Sequence, residues 1–227
     1  MADGYNSEDE QVEALKKWWN ENGKSTVITI VVALAAIFGW RGWQEQQSAE
    51  VEAGSLMYQS LLMAVSANGG QLTETQKATA QHLADSLKAD FPSSSYATYA
   101  ALFNVQFAVD SNNLDLAAEE LNWVLAREPG HELYLQVTLR LARVYSAQGK
   151  SEESLALLDI DAGIYAAAFE EVRGDIYKSQ GQLNEALMSY QKASELSMQI
   201  EPPVANGVLA LKLEHLANQI AAAEGDS

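Results

Sequence analysis

One stretch restricts this chain more than any other: Ser25 to Trp40, STVITIVVALAAIFGW, sixteen consecutive residues without a charge. Lys24 and Arg41 bracket it, Trp18 and Trp19 stand before it, and Trp40 and Trp43 mark its far end. A spanning helix needs about 20 predominantly apolar residues, so the uncharged run is short and its flanks must extend it. Lys and Arg bury their methylene stems while the charged heads reach the headgroups, and Trp favours the membrane interface. Residues 24–43 therefore read as one membrane-spanning helix, with Trp18, Trp19, Lys24, Trp40, Arg41 and Trp43 at its interfaces. Two rivals exist: a buried core helix would be equally apolar, and Ala33-Leu34-Ala35 has the small-residue pattern of a signal cleavage site. Against cleavage stand the long, acidic segment ahead of the run and the apolar residues Ile37, Phe38 and Trp40 beyond Ala35. The reading is a retained anchor.

Cytoplasmic flanks of such helices carry the excess of Lys and Arg. Lys16, Lys17 and Lys24 precede the span; Arg41 follows, and then no Lys or Arg appears until Lys77. The expected topology is N-terminus in the cytoplasm and the large C-terminal part in the periplasm or exterior. That part holds most of the formal net charge of -17, with 10 Lys or Arg against 25 Asp or Glu from Gln44 onward. Such a surface repels phosphate backbones, so nucleic acid is not an expected partner. No cysteine is present, which removes disulfides and thiolate metal sites.

With 4 prolines in 227 residues and abundant Ala, Leu, Glu and Gln, the chain is expected to be all-α. Ser7-Glu8-Asp9-Glu10 has the spacing of a capping box. Val12, Leu15, Trp18 and Trp19 then share one helical face, and Asn22-Gly23 reads as a stop, so residues 1–23 form a leader with a short amphipathic helix on the inner membrane surface. A helix that docks a cytoplasmic partner is the alternative. After the span, residues 44–92 read as a helical connector and a divergent first hairpin. Leu56, Leu61, Leu62 and Val65 are expected to pack on Ala80, Leu83, Ala84 and Leu87 of a helix from Thr73 to Asp90, which Phe91-Pro92 ends. Further helices are predicted over Tyr96–Asp110, Leu114–Arg127, Leu133–Gln148, Glu152–Leu158, Ile164–Gln180 and Leu183–Ser197. Pro202-Pro203 closes the series. A last amphipathic helix from about Val204 to Ala223 carries Leu209, Leu213, Leu216 and Ile220 on one face.

The internal similarity is informative. LARVYSAQGKSEESLALL and VRGDIYKSQGQLNEALMSY superimpose without a gap at an offset of 32 residues, pairing Ala142 with Gly174, Tyr145 with Tyr177, Gly149 with Gly181, Ser154 with Ala186 and Leu158 with Tyr190. NLDLAAEELNWVLAREP matches the second half of the same unit, with Ala117 against Ser154 at an offset of 37. Periods in this range resemble the tetratricopeptide repeat. Small residues such as Ala117, Ala142, Gly174 and Ala186 let paired helices approach, while Leu121, Tyr145, Tyr177 and Tyr190 fill the space between hairpins. Arg173 departs from the pattern, standing where that repeat usually has Leu, and the unit around Ser154 has a short second helix. Residues 93–202 are thus expected to form the repeats and 203–227 a capping helix and tail: a solenoid of about four hairpins.

Catalytic signals are weak. His82, His131 and His215 stand apart from any metal-ligand spacing. The adjacent acids Glu119-Glu120, Glu152-Glu153 and Glu170-Glu171 read as solvated helix surface, and Asp110 to Asp115 lacks the glycine and terminal Glu of a calcium loop. Neither a phosphate loop nor a serine elbow is found. No cofactor and no catalytic site are expected; a binding groove is. In tetratricopeptide arrays the first helices of each pair line it. Carrying that register over assigns Tyr99, Leu102 and Gln106 from one unit, Leu139 and Arg143 from the next, and Asp175 and Lys178 from the last.

The leader DEQVEALKKWWNENGK, the single anchor ending GWRGW, and the runs LRLARVYSAQGK and VRGDIYKSQGQLNEA together resemble the YfgM family of Gram-negative inner-membrane proteins. The resemblance implies an ancillary subunit of the SecYEG translocon, non-catalytic, whose periplasmic repeats associate with the membrane-anchored chaperone PpiD and help pass emerging polypeptides to periplasmic chaperones. It also implies an inner-membrane, single-pass location with a cytoplasmic N-terminus. The alternative is a tetratricopeptide scaffold for envelope or outer-membrane assembly. Such scaffolds often carry a lipobox Cys or a cleaved signal, and this chain has no cysteine.

Overall fold

The computed structural model describes residues 4–66, 72–199 and 206–225. The expected breaks at Asn68-Gly69-Gly70 and Pro202-Pro203 lie outside the described residues. Among the described residues all regular structure is helical: α1 (Gly4–Ser66), α2 (Glu74–Asp90), α3 (Ser95–Asp110), α4 (Leu114–Leu125), α5 (His131–Ala147), α6 (Ser151–Leu157), α7 (Ala166–Ser179), α8 (Leu183–Met198) and α9 (Gly207–Gly225), with a 3-10 turn at Gly163–Tyr165 before α7. The chain divides into two units, Met1–Leu56 and Met57–Ser227.

The first unit is α1 up to Leu56, and two expectations fail in it. Ser7 is not an N-cap, because α1 already runs from Gly4. Asn22-Gly23 does not stop the helix, which continues through both residues. The reason is local. A Cβ on Gly23 would lie 3.2 Å from the Trp19 indole, so the glycine makes room for a large ring one turn earlier. Side-chain hydrogen bonds also run along the helix here: Asn22 Nδ2 donates to the Trp18 carbonyl (3.3 Å) and Thr26 Oγ1 to the Asn22 carbonyl (3.0 Å).

The second unit is an α-solenoid in which each helix packs on its sequence neighbour. Its first layer joins the end of α1 to α2 and α3. Leu61, fully buried, packs with Ala80, Ala84, Leu87, Ala100 and Phe107, and Met57, Tyr58, Ala64 and Val65 join from the side. Leu56 and Leu62, expected in this core, are exposed, because the inward stripe of α1 runs through residues 57, 58, 61, 64 and 65. Thr73 begins α2 with a complete capping box to Gln76.

Three later hairpins repeat one turn. Asn112, Gly149 and Gly181 all have positive φ. The residue after each sends its backbone N–H to a carbonyl five positions back, Asn113 to Ala108, Lys150 to Tyr145 and Gln182 to Tyr177, at 2.8–2.9 Å. This left-handed C-terminal turn leads α3 into α4, α5 into α6 and α7 into α8. The spacings between the turns are 37 and 32 residues, the offsets of the sequence repeat. Gly174 fills its expected role, since a Cβ there would stand 2.4 Å from Tyr190 Cδ1, and the Tyr190 ring is fully buried. Ser154 replaces alanine at the equivalent crossing, and its hydroxyl donates to the Ala142 carbonyl (2.6 Å). On α9, Leu209 and Leu216 are buried, and Leu213 and Ile220 pack beside them on α8.

In two of the acidic pairs the solvated reading fails in part: Glu119 is exposed as expected, but Glu120, Glu170 and Glu171 are engaged. Glu120 is 6% exposed and ion-paired to Lys88. Glu170 pairs with Lys192 (2.7 Å), and Glu171 with Lys212 (2.7 Å). Glu152 and Glu153 are exposed as expected.

Candidate functional site: an uncovered apolar helix and an open seam

Residues within Gln11–Ser66 of α1 are long and apolar enough to cross a membrane, and almost none of that apolar window is buried. Val27, Ile28, Ile30, Val31, Val32, Leu34, Ile37 and Phe38 are 46–67% exposed. Each such side chain favours leaving water by about 1.5–3 kcal/mol, so this surface belongs in lipid. The hydroxyls inside the span are satisfied by the helix itself, as when Thr29 Oγ1 donates to the Ser25 carbonyl (2.9 Å). Trp18, Trp19, Lys24, Trp40, Arg41 and Trp43 are all exposed, and the Trp40 and Trp43 rings lie 5.2 Å apart. Among the described residues α1 carries the one membrane-spanning segment.

In the second unit, the first helices of two successive hairpins, α3 and α5, face one another across an open seam with two hollows. The larger, about 1230 Å³, lies where both helices begin, lined by Ser95, Thr98 and Tyr99 of α3, Leu133 and Gln136 of α5, and Arg127. Arg127 is held on the Trp123 ring, 3.1 Å from its centroid, and burial lowers its pKa from the ordinary guanidinium value. Tyr99 is 45% exposed and stacks near Tyr58, whose pKa is raised by burial and by Tyr99.

The smaller hollow, about 430 Å³, continues toward the helix ends. Leu102, Val105, Gln106 and Val109 line it from α3, and Arg140, Arg143, Val144 and Ala147 from α5. Each set has the spacing i, i+3, i+4, i+7, one stripe of a helix. Val105 and Val144 form a buried floor; Gln106, Val109, Arg140 and Arg143 stand exposed at the rim. Arg140 and Arg143 make no hydrogen bond or ion pair with any described residue.

Of the expected groove residues, Leu102, Gln106 and Arg143 come together in this hollow and Tyr99 lines the other. Leu139 does not join them. It is 6% exposed, in a core with Leu135, Ala142, Phe169, Val172 and Ile176. The short α6 accounts for this: with seven residues it does not hold α7 away, and α7 packs directly on α5. The seam after α5 is therefore filled where the seam before it is open. Asp175 is also engaged, accepting from Tyr190 Oη (2.7 Å) and from Lys212 Nζ (2.7 and 2.8 Å). Lys178, half-buried on α7, lies outside both hollows.

Register transfer missed Arg140, Val109 and Val144. The available signal was the α5 stripe at 140, 143, 144 and 147, shifted one residue from the position equivalent to Leu102. A helix shows one face to the unit before it and another to the unit after, and the seam takes one face from each.

Residues 16–218 match the family described as "Tetratricopeptide repeat-like domain". Similar proteins include an "Ancillary SecYEG translocon subunit" of Escherichia coli, 29% identical over 219 residues, covering 94% of this chain and 98% of the relative. A protein of the same description from Haemophilus influenzae is 27% identical over 210 residues, covering 92% and 97%. A third, from Aggregatibacter actinomycetemcomitans, is 29% identical over 189 residues, covering 83% and 89%.

Proposed function

Because the chain belongs to the tetratricopeptide repeat-like family, we propose that it is a non-catalytic, membrane-anchored adaptor of the SecYEG translocon in the inner membrane. The observation that carries this reading is the pairing, in one chain, of an uncovered apolar helix with a repeat array whose first-helix seam is open. The near full-length similarity to proteins described as ancillary SecYEG translocon subunits supports it.

Tethering is the mechanism this architecture supports. A binding seam fixed to the bilayer beside a channel turns capture of an emerging polypeptide into a local event at high effective concentration. In the finer form of the proposal, the excess of Lys before the span keeps the leader in the cytoplasm and the repeats in the periplasm. There the seam or its rim associates with the membrane-anchored chaperone PpiD and passes polypeptides to periplasmic chaperones.

Photo-crosslinkers at Ile28, Val31 and Phe38 in intact membranes test the channel assignment. Recovery of channel subunits is expected, and recovery of cell-wall or outer-membrane assembly factors alone would overturn it. For the orientation, protease added to spheroplasts is expected to digest the repeats.

A further inference from the structure

The smaller hollow has a charge pattern at odds with the rest of the chain. From Gln44 onward acids outnumber bases 25 to 10, and most of the bases are already engaged. Lys88, Arg173, Lys192 and Lys212 are ion-paired, Lys77 donates to Ser111, Arg127 lies on Trp123 and Lys150 on Tyr145. Among the described residues Arg140, Arg143 and Lys178 are not, and of these the two arginines line the hollow. They stand one helical turn apart on α5, exposed, at the rim of a cleft floored by Val105 and Val144 and edged by Leu102 and Val109. Guanidinium groups this close together repel one another, and the arrangement is complemented by carboxylates. The one acid lining the hollow, Asp110, is the last residue of α3, and it forms no ion pair with either arginine.

We infer that this hollow holds a short acidic and apolar segment of a partner polypeptide, with an aliphatic side chain on the Val105–Val144 floor and neighbouring Asp or Glu carboxylates on Arg140 and Arg143. This rests on the reading of the seam as a polypeptide-binding surface and adds the class of segment it selects. The cleft of about 430 Å³ suits one or two aliphatic side chains rather than a whole folded partner. Charge complementarity names the flanking residues: the chain's acidic surface repels acidic polypeptides in general, and the arginine pair gives them one place to dock. Selection thus comes from attraction at the seam and repulsion elsewhere.

The test uses the full chain in nanodiscs of uncharged phosphatidylcholine and a fluorescent twelve-residue peptide in which Leu and Glu alternate with Ser. Anisotropy is expected to show saturable binding that weakens with added salt. Replacing the Glu residues of the peptide by Gln is expected to weaken binding about tenfold, and by Lys further. The double variant Arg140→Glu/Arg143→Glu is expected to reverse the order, favouring the Lys peptide, with an unchanged thermal melt because both side chains are exposed and unpaired.

Equal binding of the Glu, Gln and Lys peptides, lost in Val109→Glu, would overturn the acidic preference and leave the seam as a binding surface. Absence of binding for all three peptides, or binding that Leu102→Glu and Val109→Glu leave untouched, would overturn the seam reading itself. Self-association of nanodisc-embedded chains that Arg143→Glu abolishes would make the occupant a second copy, and the partner assignment would fall.

Discussion

Tyr190 is the residue on which the last repeat closes. Its ring lies over Gly174, its hydroxyl donates to Asp175, and Lys212 of the final helix lies 5.7 Å from the ring centroid while bonding the same carboxylate. Gly174→Ala would place a methyl group 2.4 Å from the ring. The expected cost is about 1–3 kcal/mol, read as a lower urea midpoint; an unchanged midpoint would show that α7 and α8 can part freely. The same group sets an alkaline limit. Burial and the hydrogen bond to Asp175 raise the Tyr190 pKa far above its ordinary value of 10.0. Burial works against the Lys212 ammonium, but its hydrogen bonds to Asp175 and Glu171 outweigh that and raise its pKa above 10.5. Both groups bind protons more tightly folded than unfolded, so their stabilisation is complete below about pH 10 and is lost as pH rises through the folded values. Thermal melts between pH 8 and pH 11 are expected to fall in Tm at the upper end, and less steeply in Tyr190→Phe, which no longer titrates there.

At the scale of elements, the short α6 and the cap α9 are the informative pieces. Arg173 stands where the repeat usually has Leu, and its guanidinium donates to the Leu158 carbonyl (2.9 Å) at the end of α6. A seven-residue helix leaves carbonyls exposed at its end, so Arg173→Ala is expected to speed amide hydrogen exchange in Ser151–Leu157 while leaving α8 protected. For the cap, Leu216 is fully buried, and Leu216→Ala is expected to cost about 2–5 kcal/mol, measured by chemical unfolding. Most helices were legible in the sequence because their apolar spacing and turn residues agree: Leu209, Leu213, Leu216 and Ile220 line up on α9, and Gly149 and Gly181 mark their turns. What escaped was decided by neighbours distant in sequence or by a single ring. Gly23 reads as a stop until Trp19 is seen to occupy its space, and Leu139 reads as a groove residue until α7 covers it. Glu120 reads as surface until Lys88 reaches it from α2.

For the whole molecule, the anchor and the repeats answer to different physics. The first unit is held by lipid acting on exposed apolar side chains, and the second by its own buried contacts. Orientation should then follow charge near the span alone. Replacing Lys16, Lys17 and Lys24 by Gln and inserting three Lys between Gln44 and Ser48 is expected to make the repeats protease-resistant in spheroplasts. Digestion unchanged from the parent chain would show that orientation is set elsewhere.

The brevity of α6 also determines valency. An array of repeats usually offers a row of similar seams, and a polypeptide lying along it is gripped at several points and leaves slowly. Here α7 closes the second seam against Leu139 and leaves the first open, so among the described residues a segment laid along the first helices would meet one open seam and not a row of them. A single grip releases fast, which suits the relay proposed above, in which a chain is held only to be passed on.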